Sequence, residues 1–178
     1  MTSALPDAGA LPAPGVARRL ACFLYEGVLL FGVVMLAGLA YSVATDQRHA
    51  LLGAFGLRVF LFFVIGLYFI GFWCRQGQTL AMRTWHIRLV DQRGMAPGIG
   101  RSIARYLLAW LWFLPALVAL SLIDLKGTGS SALAFAVIGA GVLTYALLSR
   151  LHPQRQFVHD ALCGTRLVTW RPPPKKKA

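Results

Sequence analysis

The chain has 178 residues, 57% hydrophobic and 13% charged, with a mean hydropathy of +0.63. A soluble domain carries about 25% charged residues, so this composition excludes one and specifies an integral membrane protein. The net charge of +12 does not imply a nucleic-acid partner, because the basic residues lie between and after apolar segments rather than on one soluble face.

This length suits one domain. No internal repeat is visible, which argues against the inverted-repeat build of many transporters unless a dimer supplies the symmetry. Cys22, Cys74 and Cys163 are odd in number and lack a Cys-x-x-Cys spacing. They are expected to be reduced thiols, with no disulfide framework and no zinc site.

Residues 1–16 are rich in Ala, Pro and Gly and read as a disordered lead-in. Leu20 to Ala44 forms the first expected span. Its apolar run of ~20 residues exceeds a signal-peptide core and Glu26 interrupts it, so the segment is expected to be retained. A polar loop at 45–50 leads to a second span, 51–73, which contains Arg58. Residues 74–105 form a long basic loop. A third span covers 106–123, with Pro115 inside it; neighbouring helices usually satisfy the backbone group such a proline frees. A Gly-rich turn follows, then a short fourth span at 131–148 and a tail ending Lys175-Lys176-Lys177-Ala178.

Lys and Arg placement sets the orientation. Arg18 and Arg19, six arginines between 74 and 105, and the seven basic residues after Ser149 account for all but Arg48, Arg58 and Lys126. Both termini are therefore expected in the cytoplasm, below a four-helix transmembrane bundle. The fold class is all-α, with a basic loop and β-ribbon region on the cytoplasmic side. The ribbon would pair His86–Asp91 with Thr165–Trp170, both rich in strand-forming types; the alternative is two irregular loops. Asp91-Gln92-Arg93-Gly94 suits a type I turn. The segment 156–164 reads as a short interfacial element that brings Asp160 to the cytoplasmic mouth.

Charges inside apolar helices are the candidate functional groups, since a carboxylate near a bilayer centre costs roughly 2.5–3.5 kcal/mol. Arg19 and Glu26 share a helix face but lie ~10.5 Å apart along the axis. The arginine also leans toward the helix N-terminus, so each is expected to find its partner elsewhere. Glu26 is either a proton or cation carrier, or a structural carboxylate paired with Arg58 or Arg19 or simply protonated. A Glu26–Arg58 pair must close ~11 Å between backbones; otherwise Arg58 snorkels to the outer interface. Arg19 and Asp160 form either a gate or a fixed brace at the cytoplasmic mouth. Lys175, Lys176 and Lys177 either hold anionic lipid, at about 1 kcal/mol each, or form a solvated end.

Three stretches carry a family resemblance. Ala17-Arg18-Arg19-Leu20-Ala21-Cys22-Phe23-Leu24-Tyr25-Glu26 resembles the opening of bacterial RDD-family membrane proteins. Gly77-Gln78-Thr79-Leu80-Ala81-Met82-Arg83, continuing to Arg88-Leu89-Val90-Asp91, is similar to the family's central loop. Gln156-Phe157-Val158-His159-Asp160-Ala161-Leu162-Cys163-Gly164-Thr165 resembles its closing segment. The resemblance covers roughly 17–170 and leaves 171–178 as a polybasic tail. It implies a bacterial inner-membrane protein of poorly defined role, with transport of unidentified ligands the usual suggestion. Glu26 stands where the family has Asp, and Ala81-Met82 where it has a Gly-Lys pair.

No catalytic grouping, metal-ligand spacing or phosphate loop is present in the sequence. The expectation is a non-enzymatic protein without a cofactor that moves an ion or small solute. Arg19, Glu26, Arg58, Asp91 and Asp160 mark its pathway or its structural charge pairs. Four helices make a thin wall for a pathway, so a homo-oligomer is expected. The rival reading is a membrane scaffold or accessory subunit whose charges only brace the fold.

Overall fold

The structure, a computed structural model, describes residues 11–45, 54–110, 113, 118–119, 130–151 and 156–171. The elements among them are α1 (Val16–Ala44), α2 (Ala54–Gln76), α3 (Leu80–Thr84), β1 (Ile87–Asp91), α4 (Ile99–Ala109), α5 (Ser130–Leu148), α6 (Val158–Leu162) and β2 (Thr165–Thr169). The expected polar turns at 46–50 and 124–129, Pro115 with most of the third span, and Lys175 to Lys177 lie outside the described residues.

Two helices, α1 and α2, are long and apolar enough to cross a bilayer; the apolar stretch of α5, Ala132–Leu148, is shorter. Large apolar side chains stand exposed along both long helices, among them Val28, Phe31, Leu36 and Val43 on α1 and Phe55, Phe63 and Leu67 on α2. Such faces suit lipid rather than water. This is a membrane protein, mostly helical, with one small sheet. The sequence expectation of four spans reduces, within the described residues, to these two.

The buried core lies at one end of the helices, not along them. Cys22 of α1, Trp73 of α2, Ala81 and Met82 of α3, Tyr106 of α4 and Tyr145 of α5 pack with Ile87, Leu89, Phe157 and Leu167. The short elements thus form a platform on which the membrane helices stand.

The platform is built by local turn chemistry. Gly77 ends α2 with φ +67°, its N–H donating to the Trp73 carbonyl at 2.9 Å, as a left-handed glycine after a helix does. Two residues on, the Thr79 hydroxyl accepts from the Met82 N–H at 3.2 Å and caps α3. β1 then pairs antiparallel with β2, Ile87 opposite Thr169 and Asp91 opposite Thr165, so the ribbon expected from the two β-rich runs is present. Asp91 closes the predicted turn: its carbonyl accepts from Gly94 N–H at 3.1 Å, and its Oδ1 from the N–H groups of Arg93 and Met95 at 2.9 and 3.0 Å. Pro12 contributes from the lead-in, its carbonyl accepting from Thr169 N–H at 2.9 Å. Residues 11–15 are thus tied to the ribbon rather than running free as part of a disordered segment.

Gly77 has little freedom. A Cβ there would lie 2.5 Å from the Leu89 carbonyl oxygen, on a backbone that L side chains rarely adopt. Gly77→Ala should destabilise the protein by about 2–3 kcal/mol through left-handed strain and the backbone clash. A fall in Tm in detergent checks this; an unchanged Tm would mean the turn has slack.

The 74–105 segment departs most from the sequence reading. It is not a loop: it carries α3, β1 and the whole start of α4, which begins at Ile99, seven residues before the expected third span. Gly98 N-caps it after Pro97, and the helix is strongly two-faced. Ser102, Arg105 and Tyr106 are buried, whereas Ile99, Ile103, Leu107 and Trp110 are exposed. Arg101 and Arg105 made the stretch read as loop, yet Arg105 turns inward to a partner. From there α4 climbs along α2: Cys74 Sγ donates to Ser102 Oγ at 3.3 Å, the Tyr106 hydroxyl donates to the Phe62 carbonyl at 2.7 Å, and Trp110 lies against Phe62.

Candidate functional site

On α1 the buried residues are Arg19, Cys22 and Glu26, spaced to share one face. That face looks into a cavity of about 470 Å³. Ile65, Phe69 and Trp73 of α2 and Arg105, Tyr106 and Trp110 of α4 form its walls, and Met82, Ile87, Phe157 and Leu167 reach it from the platform. The walls are mainly apolar and aromatic. Polar groups are grouped in two places.

The first is Glu26, only 6% exposed. The Tyr68 hydroxyl donates to its Oε1 at 2.6 Å, and the Thr79 hydroxyl donates to its Oε2. Thr79 lies three residues beyond the end of α2, and Tyr68 eight residues before it. Glu26 therefore sits close to the α2–α3 turn. The eighteen residues of α1 after Glu26 make ~27 Å of helix, close to the thickness of a hydrocarbon layer.

Neither arginine expected to pair with Glu26 does so. Arg58 is ten residues above Tyr68, ~15 Å along the axis; it is exposed and carries no ion pair among the described residues. Arg19 Nε donates instead to the Pro14 carbonyl at 2.8 Å, and its guanidinium lies 4.9 Å from the Phe157 ring centroid. Among the described residues no cation pairs with Glu26. Its carboxylate keeps acceptor capacity beyond the two hydroxyls.

The second group centres on Asp160, fully buried. Its ion pair is with Arg105, Nε to Oδ1 at 2.7 Å, and not with Arg19. Arg105 also stacks on Trp73, 4.2 Å from the ring centroid, and the Thr165 hydroxyl donates to the same carboxylate oxygen at 3.3 Å. The expected Arg19–Asp160 contact is thus replaced, because α4 delivers a nearer guanidinium; Arg19 acts on Asp160 only through its charge. Burial alone would push the Asp160 carboxyl up, but Arg105, aided by His159 and Arg19, outweighs it and holds the group below its ordinary value.

His159 completes this group. The Tyr145 hydroxyl accepts from the His159 backbone N–H at 3.2 Å and lies 3.0 Å from Nδ1. With the ring proton on Nε2, Nδ1 can accept from that hydroxyl, and Nε2 lies 3.6 Å from Asp160 Oδ1. Burial pushes the ring pKa down to about 4 against the pull of Asp160, so the imidazole is neutral at physiological pH. Asp91 belongs to neither group: it pairs with the half-exposed Arg101 at 3.2 Å and organises its own turn. Among the described residues no cluster of three His, Cys, Asp or Glu side chains is placed to hold a metal ion.

Sequence reasoning missed Tyr68, Thr79 and Arg105 as partners. Thr79 had a signal, standing as a capping residue just before Leu80. Arg105 had one too, at three residues from Ser102 on the face opposite Ile99 and Ile103. Tyr68, one aromatic among many in α2, had none.

The arrangement joins the three stretches of the sequence that resemble one family: α1 brings Glu26, the α2–α3 turn brings Thr79, and α6 brings His159 and Asp160. The RDD family model matches residues 13–164. The chain belongs to the RDD family. No curated relative and no solved structure matches it. In this RDD-family protein the Glu26 side chain reaches both hydroxyls. Ala81 and Met82 of α3 are buried in the core and offer no charge to an anion.

Proposed function

We propose that this protein is a carrier of an ion or small solute in the bacterial inner membrane, with Glu26 as the group that engages the transported species. One observation carries the reading: a buried carboxylate at a cavity wall, held by two hydroxyls and by no cation among the described residues. A structural carboxylate in an apolar site is normally matched by a cation, as Asp160 is by Arg105; Glu26 is held by two hydroxyls, with no cation beside it among the described residues. Four spans, both termini in the cytoplasm and assembly as a homo-oligomer complete the proposal. The clustering of basic residues on the platform side supports the orientation. The chemistry is binding and release, without an enzymatic step.

The rival scaffold reading draws on the other group. Arg105, Asp160, His159 and Tyr145 are linked in one buried network through Asp160 Oδ1, His159 and the Tyr145 hydroxyl, while Asp160 Oδ2 has no hydrogen-bond partner among the described residues, and we assign that network to bracing.

The test is proton and cation flux in proteoliposomes, with wild type compared with Glu26→Gln. The amide retains both hydrogen bonds, since a hydroxyl can donate to its oxygen and accept from its nitrogen. The variant should keep its Tm in detergent while flux falls at least tenfold. Glu26→Asp should retain measurable flux. Unchanged flux in Glu26→Gln, or none in wild type across the cations tried, would remove the carrier reading in favour of the scaffold.

A further inference from the structure

We propose that the cavity beside Glu26 binds lipophilic organic cations, molecules in which a quaternary or protonated centre is wrapped in apolar groups. The inference rests on the carrier reading for the role of Glu26 and adds the class of ligand. Three observations support it.

The first is the wall. Phe69, Tyr106, Trp110 and Phe113 line the cavity and form a continuous run, with centroids 6.4 Å apart for Phe69 and Tyr106, 6.3 Å for Tyr106 and Trp110, and 6.1 Å for Trp110 and Phe113. Ring faces attract diffuse cations, and aromatic surroundings with a nearby carboxylate are a recurring way to bind quaternary ammonium groups. The second is that aromatic faces around this cavity already carry cations: Arg105 lies over Trp73 and Arg19 over Phe157. Those two guanidinium groups occupy the floor, and the rings above them carry no cation in the contacts the described residues make.

The third is the placement of charge. Arg105 is neutralised by Asp160 at 2.7 Å. Arg19 stands seven residues below Glu26 on α1, ~10.5 Å along the axis. The cavity thus holds the guanidinium groups of Arg19 and Arg105 together with the Glu26 carboxylate, which no cation pairs with among the described residues. A hydrated sodium or potassium ion would have to shed its shell among apolar walls that offer few oxygens. An organic cation carries no such shell and gains from the same walls. The volume of about 470 Å³ falls in the range of small-molecule sites, ~300–1,000 Å³.

The test uses the purified full-length protein in detergent and two probes of the same shape and opposite charge, tetraphenylphosphonium and tetraphenylborate. Tetraphenylphosphonium should bind saturably with one site per chain. Its Kd should rise at least tenfold in Glu26→Gln and severalfold in Trp110→Leu, while Glu26→Asp stays within a few-fold of wild type. Tetraphenylborate should show only the partitioning seen with empty micelles. Saturable borate binding, lost in Arg19→Gln, would overturn the inference and make the cavity an anion site. Phosphonium affinity unchanged by Glu26→Gln would overturn it as well. The outcome is separate from the flux assay: phosphonium binding without flux removes transport and keeps the ligand class, whereas inorganic-cation flux without phosphonium binding does the reverse.

Discussion

Asp160→Ala should lower stability by about 3–5 kcal/mol, the largest effect expected of any single substitution in the platform. It removes the carboxylate from a site with no solvent access and leaves Arg105, 9% exposed at its side chain, without its counter-charge. Breaking one side of a buried pair costs that much because a stranded charge stays desolvated. The Thr165 hydroxyl loses an acceptor in the same step. The double variant Arg105→Leu/Asp160→Leu should lose far less than the sum of its parts, since neither charge is then abandoned. Denaturation in mixed micelles measures all three. The Arg19→Leu/Asp160→Leu cycle discriminates further: Arg19 reaches Asp160 only through its field, so its coupling should be clearly the smaller. Equal couplings would mean that Arg19 makes the direct contact.

Acidification should produce the second large effect, through His159. Its pKa in the folded protein is pushed down to about 4 from 6.5, so over that interval the unfolded chain binds a proton that the folded chain refuses. Stability is fully present above pH 6.5 and is lost as pH falls from 6.5 through about 4, by about 3 kcal/mol for a gap of this size. The depressed Asp160 carboxyl has the same sign and extends the loss to lower pH. Tm in detergent should therefore drop steeply between pH 7 and pH 4.5. His159→Asn cannot titrate and should flatten that slope, although it melts lower at neutral pH for want of the Tyr145 contact. A wild-type Tm independent of pH across the window would show that the ring meets water.

Much of this was legible in the sequence. The two long apolar runs, the β-rich pair around Leu89 and Leu167, and the turn at Asp91 follow from local patterns of apolarity and turn chemistry. The family likewise followed from three short stretches. What stayed hidden was partnership. Counting charges within apolar runs pointed Glu26 to an arginine, whereas its partners are two hydroxyls, Tyr68 on α2 and Thr79 in the turn that follows it. Arg105 was read as one of many loop charges because its partner lies 55 residues away on another element. Such pairings arise when chain folding brings distant elements together, and no periodicity within either segment encodes them.

A two-stranded ribbon of five-residue strands is marginal by itself and has two outer edges, each a row of backbone groups open to another strand. Here those rows are taken. Along β1, Leu89 N–H donates to the Gly77 carbonyl at 2.7 Å, the Gln78 side chain donates to the Ile87 carbonyl at 2.7 Å, and Asp91 N–H donates to the Met95 carbonyl at 2.8 Å. Along β2, Gln156 both accepts from Leu167 N–H at 2.8 Å and donates to its carbonyl at 3.2 Å, while Pro12 takes Thr169 N–H. Two glutamine side chains stand in for the missing neighbouring strands. These contacts stand in the way of pairing with a copy of the sheet on an adjacent protomer and of strand addition by an extended peptide. Association on this side of the protein is thereby left to side-chain surfaces, where the exposed arginines of the platform set the sign of what approaches.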